Sequence, residues 1–122
     1  MMLYKMFGSD RMVIISDSMR ATGLGDGKYE FGGQEITVKD GVARTDDGAI
    51  AGSTSTLWQC VTRAASFGIP FEEAVKMATR TPADMIGAPE KGRIEAGADA
   101  DLILLDQNCE IAKVMIAGEF FA

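Results

Sequence analysis

Hydrophobic positions change period twice along this chain. The first apolar group, Met12-Val13-Ile14-Ile15, is an unbroken run that stops at Ser16-Asp17. A run without polar interruption predicts a strand buried on both faces, as in a parallel sheet. Gly23-Leu24-Gly25-Asp26-Gly27 is then too glycine-rich for helix or strand. Short β-favouring stretches follow at 28–31, 34–39 and 42–44, with alternation clearest in Glu35-Ile36-Thr37-Val38-Lys39. Asp26-Gly27, Gly32-Gly33, Asp40-Gly41 and Asp47-Gly48 punctuate them. Asp-Gly between such stretches is a strong hairpin signal, so an antiparallel β-meander is predicted.

From Gly52 the period becomes helical. Leu57, Val61, Ala64 and either Ala65 or Phe67 share one stripe, with Ser53-Thr54 as candidate N-caps and Gly68 as the stop. A second helix is predicted over 70–80, its apolar face made by Phe71, Ala74, Val75 and Ala78. Its acidic Glu72 and Glu73 stand in the first turn, and Lys76 and Arg80 in the last, as the helix dipole favours. Thr81-Pro82 reads as the cap and first residue of a short helix that reaches Ile86 and closes at Gly87. Strands return at Leu102–Leu105 and Ile111–Ile116, with Gly92 and Gly97 in turns before them. The organisation expected is 1–27 for the first strand and its loop, 28–51 for the meander, 52–91 for helices and 92–122 for the closing strands. The leading strand has no parallel partner in this order, so another segment or subunit should complete its sheet.

Composition narrows the function. At 122 residues the chain suffices for one domain but not for a whole (β/α)8 barrel, which needs about 250. A hydrophobic fraction of 47% argues for a real core. Eighteen acidic residues against twelve basic ones leave no cationic excess to neutralise phosphate, so no nucleic acid or anionic membrane is expected as a partner. No apolar run approaches the ~20 residues of a membrane span, and Met1 to Phe7 lack the features of a signal peptide. Cys60 and Cys109 form no CxxC motif and read as reduced thiols, Cys60 in a helix core, in a cytoplasmic protein. Histidine is absent, so neither an imidazole metal site nor a Ser-His pair can be built from these residues.

Three places are candidates for chemistry. Asp17 follows the carboxyl end of the predicted buried strand, where α/β enzymes place catalytic groups; its plain alternative is a turn cap. Gly52-Ser53-Thr54-Ser55-Thr56 sets a glycine and four hydroxyls at a helix start, suited to a sugar or phosphate or to simple capping. Asp99, Asp101 and Asp106 flank a buried strand without EF-hand spacing, which reads as a structural turn rather than a calcium loop.

Five segments, taken together, resemble one family. They are Ile14-Ile15-Ser16-Asp17-Ser18-Met19, Asp26-Gly27-Lys28-Tyr29 with Gly32-Gly33, and Gly48-Ala49-Ile50-Ala51-Gly52-Ser53, then Met77-Ala78 to Thr81-Pro82-Ala83, and Gly92-Arg93-Ile94 with Gly97-Ala98-Asp99-Ala100-Asp101-Leu102. In order and spacing they resemble the C-terminal third of the N-acetylglucosamine-6-phosphate deacetylase family of the amidohydrolase superfamily. The resemblance implies a mixed α/β fold. The chain would be the C-terminal fragment of a (β/α)8 metallo-hydrolase barrel, carrying the meander, two to three helices and strands of a small β-sandwich. It implies that Asp17 acts as general base and then general acid, on a water bound to a divalent metal, zinc or iron. It also implies that the backbone of Ile50, Ala51 and Gly52 helps hold the sugar-phosphate substrate, and that the enzyme is a homo-oligomer, a dimer. The family's metal ligands lie upstream, so none is expected in this chain and the isolated polypeptide should be inactive. The alternatives are a fragment of another amidohydrolase, such as one cleaving cyclic amides, or a non-catalytic domain.

Overall fold

A computed structural model describes residues 1–121. The order is α1 (Met2–Phe7), a 3₁₀ turn (Ser9–Arg11), β1 (Gly27–Phe31), β2 (Gln34–Lys39), β3 (Val42–Thr45), β4 (Ile50–Gly52), α2 (Leu57–Ser66), α3 (Phe71–Ala78), α4 (Arg80–Met85), β5 (Leu102–Leu105), β6 (Ile111–Ile116) and β7 (Glu119–Phe121). Strands β1 to β4 form one antiparallel sheet in chain order, and β5 to β7 another. The expected mixed α/β class and the meander are both present.

The meander builds its core from alternation. Ile36 and Val38 point to one face of β2 and are buried, while Glu35, Thr37 and Lys39 are exposed. Ala43 lies opposite Val38 on β3, and Tyr29 opposite Ile36 on β1. Met19 and Ala21, from the loop before β1, complete this cluster, with Tyr29 and Ala51 packed against it. Burial of a side chain the size of Ile36 contributes about 2–3 kcal/mol. The β2–β3 turn uses Asp40 at φ 51 and Gly41 at φ 71, the geometry that Asp-Gly favours. Asp26 accepts hydrogen bonds there from the Asp40 and Gly41 amides, which ties the glycine-rich loop to the turn.

Helices α2 and α3 pack through buried Val61, Ala74 and Met77, and Trp58 meets Phe71 edge-on at 5.9 Å. The Trp58 indole donates to the Cys109 carbonyl and so fastens α2 to the β5–β6 loop. Both cysteines are free, Cys60 half-buried and Cys109 exposed. No helix among the described residues is long and apolar enough to cross a membrane.

Several expectations need correction. Residues 12–17 form no strand, and Ile15 is 72% exposed rather than buried on both faces. The burial of such a run depends on neighbouring strands, and only Ser18 makes a parallel bridge, to Ser53. The N-cap of α2 is Thr56, not Ser53 or Thr54. Thr56 forms a reciprocal capping box with Gln59, whereas Ser53 is engaged in that bridge and Thr54 donates to the Gly41 carbonyl. Helix α3 ends at Ala78, where Thr79 leaves helical geometry, so Arg80 opens α4. Thr81 is therefore inside α4 rather than its cap, and its buried hydroxyl donates to the Ser9 carbonyl. Pro82 remains in the first turn, where its missing N–H costs nothing. Helix α1 and strand β7 are additional elements. Met77 belongs to the buried face of α3, and Phe67 is 66% exposed.

The surface totals 8466 Å², against roughly 6,300 Å² for a compact monomer of this mass. Ile15, Ile50, Ile86 and Ile94 are each at least 70% exposed. Such a surface favours association, and sedimentation at micromolar concentration is expected to find species larger than a monomer; a monomer throughout that range would contradict this. For the turn, Gly41→Val is expected to destabilise the chain by roughly 1–3 kcal/mol, because a β-branched residue is forced to positive φ. Lys39→Val, on the exposed strand face, should cost little. Urea melts compare the two, and equal stabilities would argue against the hairpin geometry.

Candidate functional site

The chain brings Asp17 and β4 side by side through backbone pairing. The Ser53 amide donates to the Asp17 carbonyl at 3.0 Å, and the Met19 amide donates to the Ser53 carbonyl at 3.0 Å. The Thr22 hydroxyl also donates to that Ser53 carbonyl, and Ser18 Oγ donates to the Ser55 carbonyl at 2.6 Å. Gly52 is needed at this crossing. It adopts φ +144, and a Cβ there would lie 3.5 Å from Met19 Cβ and 3.6 Å from the Asp17 carbonyl oxygen. Asp17 itself is at φ 50, a left-handed conformation uncommon for a residue with a side chain. Its side chain is exposed.

Of the residues implied to hold substrate, Ile50 is 70% exposed while Ala51 and Gly52 are half-buried. Strand β4 ends its sheet, so its outer edge has no neighbouring strand among the described residues beyond the Ser18 bridge. An edge of this kind presents unpaired N–H and C=O groups to a ligand. A groove of about 760 Å³ lies nearby, between the meander and α2, lined by Gly23, Asp26, Asp40, Thr54 and Arg63 among others. None of Asp17, Ile50, Ala51 or Gly52 lines it. The hydroxyl run is divided: Ser53 serves the Asp17 crossing, Thr54 the β2–β3 turn and Thr56 the α2 cap, while Ser55 accepts the Ser18 hydroxyl through its carbonyl.

The acidic element before β5 is structural. Lys91 Nζ lies 2.7 Å from Asp99 and 2.6 Å from Asp101, and Asp101 also accepts the Ala117 amide at the β6–β7 turn. The Lys91 hydrogen bond, and then the Ala117 amide, hold the Asp101 carboxyl below its ordinary value. The Lys91 ammonium is correspondingly raised by its bonds to Asp101 and Asp99. Asp106 is lowered too, by the amides of Glu110 and Asn108. These carboxylates are engaged by Lys91 and by backbone amides, and they make turns rather than a cation site.

With no histidine in the sequence, and no group of three or more His, Cys, Asp or Glu able to hold a metal among the described residues, the side chains present do not fit a metal centre.

Residues 34–121 match the amidohydrolase family. The chain belongs to it. It is 37% identical over 110 residues to N-acetylglucosamine-6-phosphate deacetylase of Vibrio furnissii, covering 88% of this chain and 28% of that protein. The structure of the Thermotoga maritima N-acetylglucosamine-6-phosphate deacetylase superposes with a TM-score of 0.90 at 35% identity, over 98% of this chain and 33% of that one. An aspartate-to-alanine variant of the Mycobacterium smegmatis deacetylase, in complex with N-acetyl-D-glucosamine-6-phosphate, gives 0.89 at 39% identity, over 98% and 32%. The chain thus spans about a third or less of the length of these proteins.

Among the site features, sequence reasoning missed the crossing itself. Asp17 and Gly52 were both flagged, but their adjacency rests on Ser53, whose hydroxyl suggested a helix cap. The one local signal is the glycine placed directly before Ser53, whose φ of +144 disfavours a side chain.

Because Asp101 is lowered on folding, its stabilising contribution is complete above the unfolded carboxylate value of about 4 and is lost as pH falls through the folded value. Asp101→Asn should therefore destabilise the chain most at pH 6, with the gap to the parent chain narrowing by pH 3. Urea melts at both pH values test this; a gap independent of pH would deny the Lys91 clamp.

Proposed function

We propose that this chain is the portion of an N-acetylglucosamine-6-phosphate deacetylase that carries its proton-transfer residue and part of its sugar-phosphate cradle. The observation that carries the reading is the crossing of Asp17 with the end of β4. It sets an exposed carboxylate, on a constrained backbone, beside an open strand edge. Similarity to deacetylases over nearly the whole chain supports the choice of reaction over a cyclic-amide hydrolase.

In this reading Asp17 accepts a proton from the water that attacks the acetamide carbonyl. A C–O bond forms, the C–N bond breaks, and Asp17 returns the proton to the departing amine. The products are glucosamine 6-phosphate and acetate. The backbone of Ile50, Ala51 and Gly52 offers directional hydrogen bonds that orient the sugar phosphate, and the Asp17 carboxylate needs no movement between the two transfers. The residues of this chain hold no metal, so a divalent zinc or iron ion would be held by other residues. Residues 12–15 serve as the last barrel strand, within 1–27, the meander as an insertion, and β5 to β7 as part of a small β-sandwich. The divisions at 27, 51 and 91 belong to the same proposal, as do a cytoplasmic location and a homodimer. The missing ligand set favours a second reading for the polypeptide alone, as a segment that binds ligand without turnover.

A chimaera tests the proposal. Residues 8–122 replace the matching third of the Mycobacterium smegmatis enzyme, and acetate release from N-acetylglucosamine 6-phosphate is followed with and without Asp17→Asn. The substitution is expected to lower kcat by about two to four orders of magnitude with KM little changed. Retention of most of the rate would make Asp17 a turn residue. The 122-residue chain alone is expected to release no acetate.

A further inference from the structure

Among the described residues, four that are not glycine have positive φ: Asp17, Asp40, Cys109 and Ala117. Asp40 and Ala117 are followed by glycine in the β2–β3 and β6–β7 hairpin turns, and Cys109 lies in the β5–β6 loop. Their geometry follows from the turn each occupies. Asp17 instead follows an irregular segment that makes no hairpin, and the bond from the Ser18 amide to Ser16 Oγ spans it. A left-handed residue with a side chain persists only where its surroundings hold it there.

Those surroundings can be traced bond by bond. The two backbone hydrogen bonds at Ser53 fix the residues on either side of Ser18, but they meet at one residue of the partner segment. The Thr22 hydroxyl on the Ser53 carbonyl and the buried Met19 and Ala21 hold the chain that follows. Beside Asp17 itself there is a further attachment: Ser18 Oγ donates at 2.6 Å to the Ser55 carbonyl, two residues beyond the bridge. The Ser55 amide in turn donates to Ser53 Oγ at 2.9 Å, so the acceptor is itself fixed. The Ser18 amide donates to Ser16 Oγ at 3.3 Å, closing the other side of Asp17. Ser18 is exposed, so this hydroxyl is not needed to fill a core.

We propose that Ser18 is a positioning residue: its hydroxyl, strapped to the Ser55 carbonyl, keeps the Asp17 backbone left-handed and so aims the carboxylate. The catalytic part of this rests on the reading of Asp17 as the proton carrier. Ser18 touches no reacting atom in it. Without the strap, Asp17 relaxes toward the extended region, which reorients its Cα–Cβ bond. An error of about 1 Å in a reacting group can cost a hundredfold in rate, so a ten- to hundredfold loss is the scale expected.

Two measurements on Ser18→Ala and Ser18→Thr test this. In the isotopically labelled 122-residue chain, the amide–Hα coupling and Cα shift of Asp17 report its φ. In the chimaera, kcat and KM report function. Ser18→Ala is expected to move the Asp17 signals toward extended values and to lower kcat ten- to hundredfold, with KM and the urea midpoint nearly unchanged. Ser18→Thr, which keeps the hydroxyl, should restore both. Unchanged Asp17 signals in Ser18→Ala would overturn the strap whatever Asp17→Asn does. Altered signals with an unchanged kcat, where Asp17→Asn is inactive, would overturn the positioning role. Altered signals with an active Asp17→Asn enzyme would leave the strap standing and overturn the catalytic reading instead.

Discussion

Ser53 uses both of its backbone groups to join two segments that are far apart in sequence: its amide binds the Asp17 carbonyl and its carbonyl binds the Met19 amide. Much of the N-terminal half depends on that junction. It delivers Met19 and Ala21 to the buried cluster of Ile36, Val38 and Ala43, so the loop before β1 becomes part of the sheet's core. Residue 52 beside it is glycine because the chain there adopts φ +144, which a side chain would strain. The same junction sets the start of α2. With Ser53 occupied and Thr54 bound to Gly41, Thr56 is the next hydroxyl with a glutamine three residues on to complete a capping box.

The meander and the helical layer stand on different kinds of contact. The sheet from β1 to β4 pairs only sequence neighbours, and the Asp26 carboxylate and Tyr29 hydroxyl brace it from within. The helices lean on longer connections. Thr81 reaches back to Ser9, Ile14 donates to the Met77 carbonyl, and Trp58 reaches forward to Cys109. Losing one brace should loosen the meander locally, whereas losing one of these ties separates distant segments of chain.

That distinction also governs what was legible in the sequence. The meander was readable because Asp40-Gly41 and its relatives encode turn geometry in two adjacent residues, and Ile36 and Val38 encode the buried face by spacing alone. The state of Met12-Val13-Ile14-Ile15 was not, because burial on both faces is a property of the neighbours that a strand has. Thr81 looked like a cap by type, and only the approach of Ser9 shows where its hydroxyl goes. Strand β7 was hidden by its length: three residues are too few to alternate, although Gly118 before them marked a turn. The site was half legible. Asp17 and Gly52 were identifiable from the resemblance, but their contact is made by backbone atoms of Ser53, which every residue type possesses.

Asp17 and Asp101 are held by opposite ends of the residue. Asp101 has its carboxylate oxygens taken by the Lys91 ammonium and the Ala117 amide. Both contacts favour the charged form, so a proton is held off, and the group is fitted to tie β5 to the β6–β7 turn. Asp17 reverses the arrangement. Its backbone carbonyl is bound and its φ is constrained, while its carboxylate is exposed and open to water. A proton carrier needs that combination, because its oxygens must be available to gain and lose a proton while its position stays fixed. An aspartate serving as a turn cap would show the opposite pattern, spending its side-chain oxygens on nearby amides as Asp26 and Asp106 do. The engaged atoms of Asp17 are those of the main chain, which is the arrangement that the proposed proton carrier requires.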